Sequence, residues 1–202
     1  MPPRTRPARP AAPKLGHRAF ATPQQLEQWL KAHHATEREL WVRIFKKASK
    51  IASVSWDDCV VAALAWGWID GLKKPLDEDS YLQRLTPRRA RSNWSQRNRE
   101  HAERLIAEGR MQPAGLAHVE AARQDGRWDN AYAGSADMVI PDDFLAALRR
   151  VPAAKRFFAT LDRRNLFVIY VRLHSAKRPA TRQRRLEALL AQLAAGKTPL
   201  ER

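Results

Sequence analysis

The sequence predicts an α+β fold: a small antiparallel sheet of about three strands packed with helices, then a mostly helical C-terminal half. Three observations predict it. ELWVRIFKK at 39–47 alternates with period two, which marks a strand. Two further strand-like runs, 68–74 and 80–86, flank an acidic turn at Asp77, Glu78 and Asp79. From Ser92 onward apolar residues recur at helical spacing, with prolines near the starts and glycines past the ends.

The elements follow in order. Residues 1–18 hold five basic residues, five prolines and no acid, so no face can pack. They are expected to form a disordered basic tail. Thr22, Pro23 and Gln25 have the spacing of a capping box. Leu26, Trp29, Leu30 and His33 then share one helical face. In the strand at 39–47, Leu40, Val42 and Ile44 alternate with Trp41, Arg43 and Phe45. Ser55 and Asp58 open a second helix that buries Trp56, Cys59, Val60, Ala63 and Leu64, and Gly67 closes it. The two strands of the acidic hairpin come next. Helices are predicted at 95–108, 113–124, 142–149, 152–161, 164–177 and 180–195. Pro113, Pro141 and Pro152 sit in first turns, and Gly109 and Gly196 sit past helix ends. Residues 125–140 are predicted to be loop. One domain at 19–197 is expected, with an α+β part at 19–95, a helical part at 96–197 and a short tail at 198–202.

Composition narrows the function classes. The 202 residues are 44% hydrophobic with seven Trp, enough to bury a core and exclude wholesale disorder. A single cysteine, Cys59, excludes a disulfide framework and a Cys-rich zinc site. No apolar run is long enough to span a bilayer. No apolar segment follows the charged N-terminus, so the expected location is the cytoplasm. Lys and Arg number 37 against 21 Asp and Glu, a net charge of +16, with Arg outnumbering Lys 27 to 10. Such a surface attracts polyanions, and nucleic acid is the expected partner class. Removing the tail's five charges still leaves +11 on residues 19–202.

Catalytic signatures are missing from the sequence. The glycines form no phosphate loop, and the histidines have no metal-ligand spacing. His33 and His34 are adjacent and diverge by about 100° on a helix. Cys59 lies on a predicted buried face, which makes a thiol inert. A non-enzymatic protein without metal or cofactor is therefore expected.

Two clusters remain as candidate sites. Around the predicted sheet stand Trp66, Trp68 and Asp70, then Arg84, Thr86, Arg88, Ser92 and Trp94. Asp70 and Arg84 are expected to meet across paired strands. One reading is an ion pair that fixes the hairpin. The other is a Trp-walled anion pocket, as in a small-molecule-binding protein or an enzyme, since the guanidinium fork suits carboxylate and phosphate. The second cluster is a basic surface at Lys177, Arg178, Arg182, Arg184 and Arg185. The last three crowd a helix start, where the dipole disfavours cations. Either an anion binds there or acidic residues such as Asp77–Asp79 neutralise it.

Several blocks carry a family resemblance. They include F-A-T-P-x-x-L-x-x-W-L at 20–30, E-L-W-V-R-I-F-K-K at 39–47 and S-W-D-D-x-V-x-x-A-L-x-W-G-W-I-D-G at 55–71. T-P-R-R at 86–89, S-x-W-S at 92–95 and S-A-K-R-P-A-T-R-x-R-R-L at 175–186 follow. In this order they resemble the bacterial YdeI/OmpD-associated family, also called bacteriocin-protection proteins, over nearly all of 19–197. The resemblance implies a link to stress and to tolerance of cationic antimicrobial peptides, with a protein partner at the cell envelope. It supplies no catalytic residues.

Overall fold

The computed structural model describes residues 16–200, and the predicted basic tail lies almost wholly outside them. The chain divides into two compact units at Arg88/Arg89.

The first unit is built on a sheet. Helix α1 spans Pro23–His33 and begins as the sequence predicts, with the Thr22 side chain accepting the Gln25 N–H. The box is offset by one residue: Gln25 accepts the N–H of Ala21 rather than that of Thr22. Helix α2 spans Trp56–Ala65 and has the full reciprocal box between Ser55 and Asp58. Gly67, at φ +72°, ends it in the left-handed region where a Cβ would be strained.

Four strands form the sheet, in the order β1-β2-β4-β3: β1 Arg18–Ala19, β2 Leu40–Phe45, β3 Trp68–Pro75 and β4 Ser80–Pro87. Three of them are the antiparallel strands the sequence predicts. The fourth, β1, pairs parallel to β2 through Arg18 and Ala19. Two residues are too few to show a period, and their hydrogen bonds exist only because β2 is beside them. Arg18 therefore stands in the sheet rather than in the tail.

One face of the sheet packs on α1 and α2. Leu40, Val42, Ile44, Trp68 and Leu85 join Leu26, Leu30, Cys59 and Ala63 in that core. Strand β3 is an edge strand with an irregularity between Asp70 and Lys73. The buried Gln83 side chain donates to the Gly71 carbonyl there and satisfies an acceptor the irregular ladder leaves over.

The second unit is helical. It comprises α3 Gln96–Ala107, α4 Pro113–Gln124, α5 Asp142–Arg149, α6 Pro152–Phe158, α7 Arg163–His174 and α8 Pro179–Ala194. Pro113 and Pro152 sit in first turns as predicted, whereas Pro141 is the N-cap of α5, one position earlier. Helix α6 stops three residues short of its predicted end. Thr160 folds its hydroxyl onto the Phe157 carbonyl there, competing with the helix ladder. Phe144, Leu148, Ile169, Leu173, Leu186, Leu189 and Leu193 form the core of α5–α8. Residues 198–200 are tied back: Gln192 donates to Thr198 O, and Leu200 N–H donates to Asn165 Oδ1. Among the described residues no helix is long and apolar enough to cross a membrane.

Candidate anion-binding site

Within the first unit the expected pairing of Asp70 with Arg84 is not formed. Asp70 and Arg84 do lie on paired strands, but in register Asp70 faces Leu85, and Arg84 faces Trp41. Successive strand residues point to opposite faces, so a one-residue offset separates the two side chains by the thickness of the sheet. Leu85 is fully buried in the core between sheet and helices, and Asp70 lies on that face. Its carboxylate accepts the Trp56 indole N–H at 3.1 Å. On the other face Arg84 pairs with Glu39 at 2.7 Å, its guanidinium 6.0 Å from the centre of the Trp41 ring. The expected Asp70–Arg84 contact is thus replaced by two separate ones.

The remaining members have contacts of their own. Trp68 is a core residue whose indole N–H donates to His34 O at 3.1 Å. Trp66 leans on the His34 ring at 4.8 Å. Thr86 stands opposite Ile69 in the ladder, and Arg88 is buried, its backbone N–H on Gly67 O. Ser92 and Trp94 belong to the second unit. Ser92 gives its carbonyl to Arg127, and Trp94 packs edge-on against Trp128 at 4.9 Å. Cys59 is fully buried, and burial, aided by the charges of Asp58 and Asp70, pushes its thiol up to about 12. His33 and His34 each turn Nδ1 onto a carbonyl of the last turn of α1. No group of acidic, His and Cys side chains able to hold a metal occurs among the described residues.

The basic surface behaves differently. Positive charge is segregated: residues 89–202 hold 22 Lys and Arg against 12 Asp and Glu, while residues 19–88 hold 10 against 9. Part of the excess is used structurally. Arg182 donates twice to Asp143, both at 2.7 Å, and once to Leu173 O. Its counter-charge is therefore Asp143, not the acidic turn. Asp77 of that turn pairs with Arg43 at 2.8 Å and accepts the Ser80 hydroxyl, which holds its carboxyl below the usual range. Arg185 donates to Arg172 O at 2.7 Å and to the Ser175 hydroxyl at 2.9 Å. Arg182 and Arg185 thus leave the start of α8 but end on carbonyls of the last turn of α7, where the dipole favours cations. That resolves the unfavourable placement read from the sequence.

Beside them is a cleft of about 670 Å³, lined by Arg91, Asn93, Asp125, Arg127, Ser175, Ala176, Lys177, Arg178, Thr181 and Arg185. Five cations face one carboxylate. Lys177 donates to Asp125 O at 2.7 Å, at the C-terminal end of α4. Gly126 turns the chain there at φ +71°, and a Cβ on it would touch the Lys177 ammonium at 3.8 Å. Arg127 is buried and donates its Nε to both Asp125 oxygens, at 2.8 and 2.7 Å. Burial pushes the Asp125 carboxyl up, but the Arg127 hydrogen bonds and charge, with Lys177, outweigh it and leave it lowered. Asp125 is therefore a committed anion. Arg184, the remaining member of the basic surface, is exposed on α8 outside the cleft.

The sequence pointed to Lys177, Arg178 and Arg185 but missed Arg91, Asp125, Arg127, Ser175 and Thr181. Asp125 and Arg127 fall in the segment expected to be loop, where no periodicity marks them. The signal available was the Asp-Gly-Arg triplet itself, a turn that fixes an Asp next to an Arg.

Two family models match the chain. Residues 18–118, half of its length, match the one described as domain of unknown function (DUF8412). Residues 137–196 match the one described as bacteriocin-protection, YdeI or OmpD-associated. The resemblance read from the sequence over 19–197 is thus shared between two families, and the second contains α5–α8 with the cleft residues from Ser175 onward. No curated protein matches the chain, and no solved structure does.

Proposed function

For a chain that belongs to the DUF8412 family through residues 18–118 and carries a YdeI/OmpD-associated segment at 137–196, we propose the function of a non-catalytic, cytoplasmic nucleic-acid-binding protein. The single observation that supports this reading is the charge segregation. Of the net positive charge on residues 19–202, all but one unit lies on residues 89–202. A fold that only needed solubility would spread its charge, whereas a polyanion surface concentrates it. Binding is expected to be weak and without sequence preference, because Lys and Arg on phosphates carry no base information. The bacteriocin-protection link then belongs to a stress response acting through nucleic acid. Direct capture of cationic peptides is disfavoured by a chain of charge +16.

The test is fluorescence anisotropy of a 5′-hydroxyl single-stranded oligonucleotide with the full chain, between about 50 and 200 mM salt. Affinity should fall steeply as salt rises, since each phosphate neutralised releases counterions. Arg184→Gln combined with Arg149→Gln, two charge losses on the second unit, should flatten the log–log slope by up to about 1.4. Affinity independent of salt over that range would overturn the reading.

A further inference from the structure

We propose that the cleft between the start of α8 and the end of α4 is a discrete site for a phosphate monoester, the terminal phosphate of a nucleotide or of a nucleic-acid strand. The inference shares the anion preference of the second unit with the reading above, but it concerns one cleft and a narrower ligand.

Four features carry it. First, the charges are pre-organised. Lys177 is held on the Asp125 carbonyl just past α4, Arg185 on α7, and Arg127 on the Asp125 carboxylate, so three of the five cations are fixed before any ligand arrives. Second, Arg91 and Arg178 line the same cleft, and neither guanidinium makes a hydrogen bond or an ion pair among the described residues. Their guanidinium forks are available for two oxygens each. Third, α8 starts with no side-chain cap on its first-turn N–H groups, and the Thr181 hydroxyl lies at that start. Uncapped N–H groups and a hydroxyl accept an anionic oxygen without needing a counter-charge of their own. Fourth, the cleft is open to solvent and about 670 Å³ in volume, room for a phosphate and the group that carries it.

The charge balance sets the ligand class. Five cations against Asp125 leave an excess of four, while Asp125 is taken up by Arg127. A monoester presents three terminal oxygens and close to two charges near neutral pH. It therefore uses more of these donors than an internal diester, which has one charge and must continue in both directions. A carboxylate has one charge and two oxygens and leaves the cleft underfilled.

The experiment compares binding of one oligonucleotide with a 5′-phosphate and with a 5′-hydroxyl, using the full chain. The phosphorylated form should bind at least about tenfold tighter. Arg178→Gln and Arg91→Gln should each remove most of that preference. Neither group supports another residue, so both variants should keep the wild-type circular dichroism spectrum. Arg184→Gln removes the same charge outside the cleft and should weaken both oligonucleotides alike, leaving the ratio intact. Thr181→Val should reduce the ratio with no change of charge. Displacement of the phosphorylated strand by a nucleoside 5′-monophosphate supports the inference with a free nucleotide as ligand. Retention of the strand supports it with the nucleic-acid end as ligand. Equal affinity of the two oligonucleotides for the wild type overturns it, as does an equal response of the ratio to Arg178→Gln and Arg184→Gln. The first of these outcomes leaves the salt-dependent binding of the 5′-hydroxyl strand standing, so the cleft and the broader reading fail separately.

Discussion

Arg182→Met tests the account of why arginines crowd the start of α8. The substitution keeps the apolar stem and removes the guanidinium, so lost packing contributes little. Two contacts disappear. The bidentate pair with Asp143 has ideal lengths, but its side chains are 30% and 47% exposed, so solvent screening limits it to about 1 kcal/mol. The bond to Leu173 O adds about 1 kcal/mol. The expected total is about 2 kcal/mol. Urea unfolding followed by far-UV circular dichroism measures it, because six of the eight α-helices among the described residues belong to the second unit. The cycle with Asp143→Asn should return a coupling of about 1 kcal/mol. The pH dependence has a definite sign. The Arg182 hydrogen bonds hold the Asp143 carboxyl below its usual value, and the Phe144 N–H and the Arg182 charge add to this. A depressed folded-state pKa gives stability that is present above the unfolded value near 3.8 and is lost as pH falls through the folded value. The cost of Arg182→Met should therefore shrink in acid toward the Leu173 contribution alone. An additive double mutant, or a cost unchanged between pH 7 and about pH 3, would refute the argument.

Two further predictions concern the first unit. The Cys59 thiol, pushed up to about 12 by burial, should not react with a disulfide reagent at pH 8 in the native protein, and should react at once in denaturant. Rapid native reaction would mean that the core between α2 and the sheet opens. Asp70→Asn should cost less than about 1 kcal/mol in urea unfolding, because its partner is a neutral indole N–H that an amide oxygen can also accept. A loss of about 3 kcal/mol or more, the cost of stranding a buried charge, would restore the ion pair with Arg84.

Element positions were legible because they rest on local rules. Ser55 with Asp58 opens α2, Pro113 and Pro152 open α4 and α6, and Gly67, Gly109 and Gly196 close helices at positive φ. Each needs only a few neighbouring residues. The Asp70–Arg84 expectation failed at the next level. The strands and their pairing were right, but the facing residue depends on register, and the irregularity between Asp70 and Lys73 is set by how β3 meets β4. The basic cluster was half legible for a related reason. Local charge density exposed Lys177, Arg178 and Arg185, but Arg91, Asp125 and Arg127 lie 50 or more residues away in sequence and reach the cleft only when the end of α4 meets the connection between α7 and α8.

The sequence by itself determined the α+β class, the positions and starts of the helices, three strands of the sheet, the burial of Cys59 and the positive charge. These follow from propensity, capping and composition, which act over a few residues or over the whole chain. Only the tertiary structure decided β1, the faces on which Asp70 and Arg84 stand, the pairing of Arg182 with Asp143, and the gathering of five cations around Asp125. Those features are contacts between residues far apart in sequence. Their geometry is set when helix ends and strand registers lock, and a linear pattern carries no record of which carbonyl a guanidinium will meet.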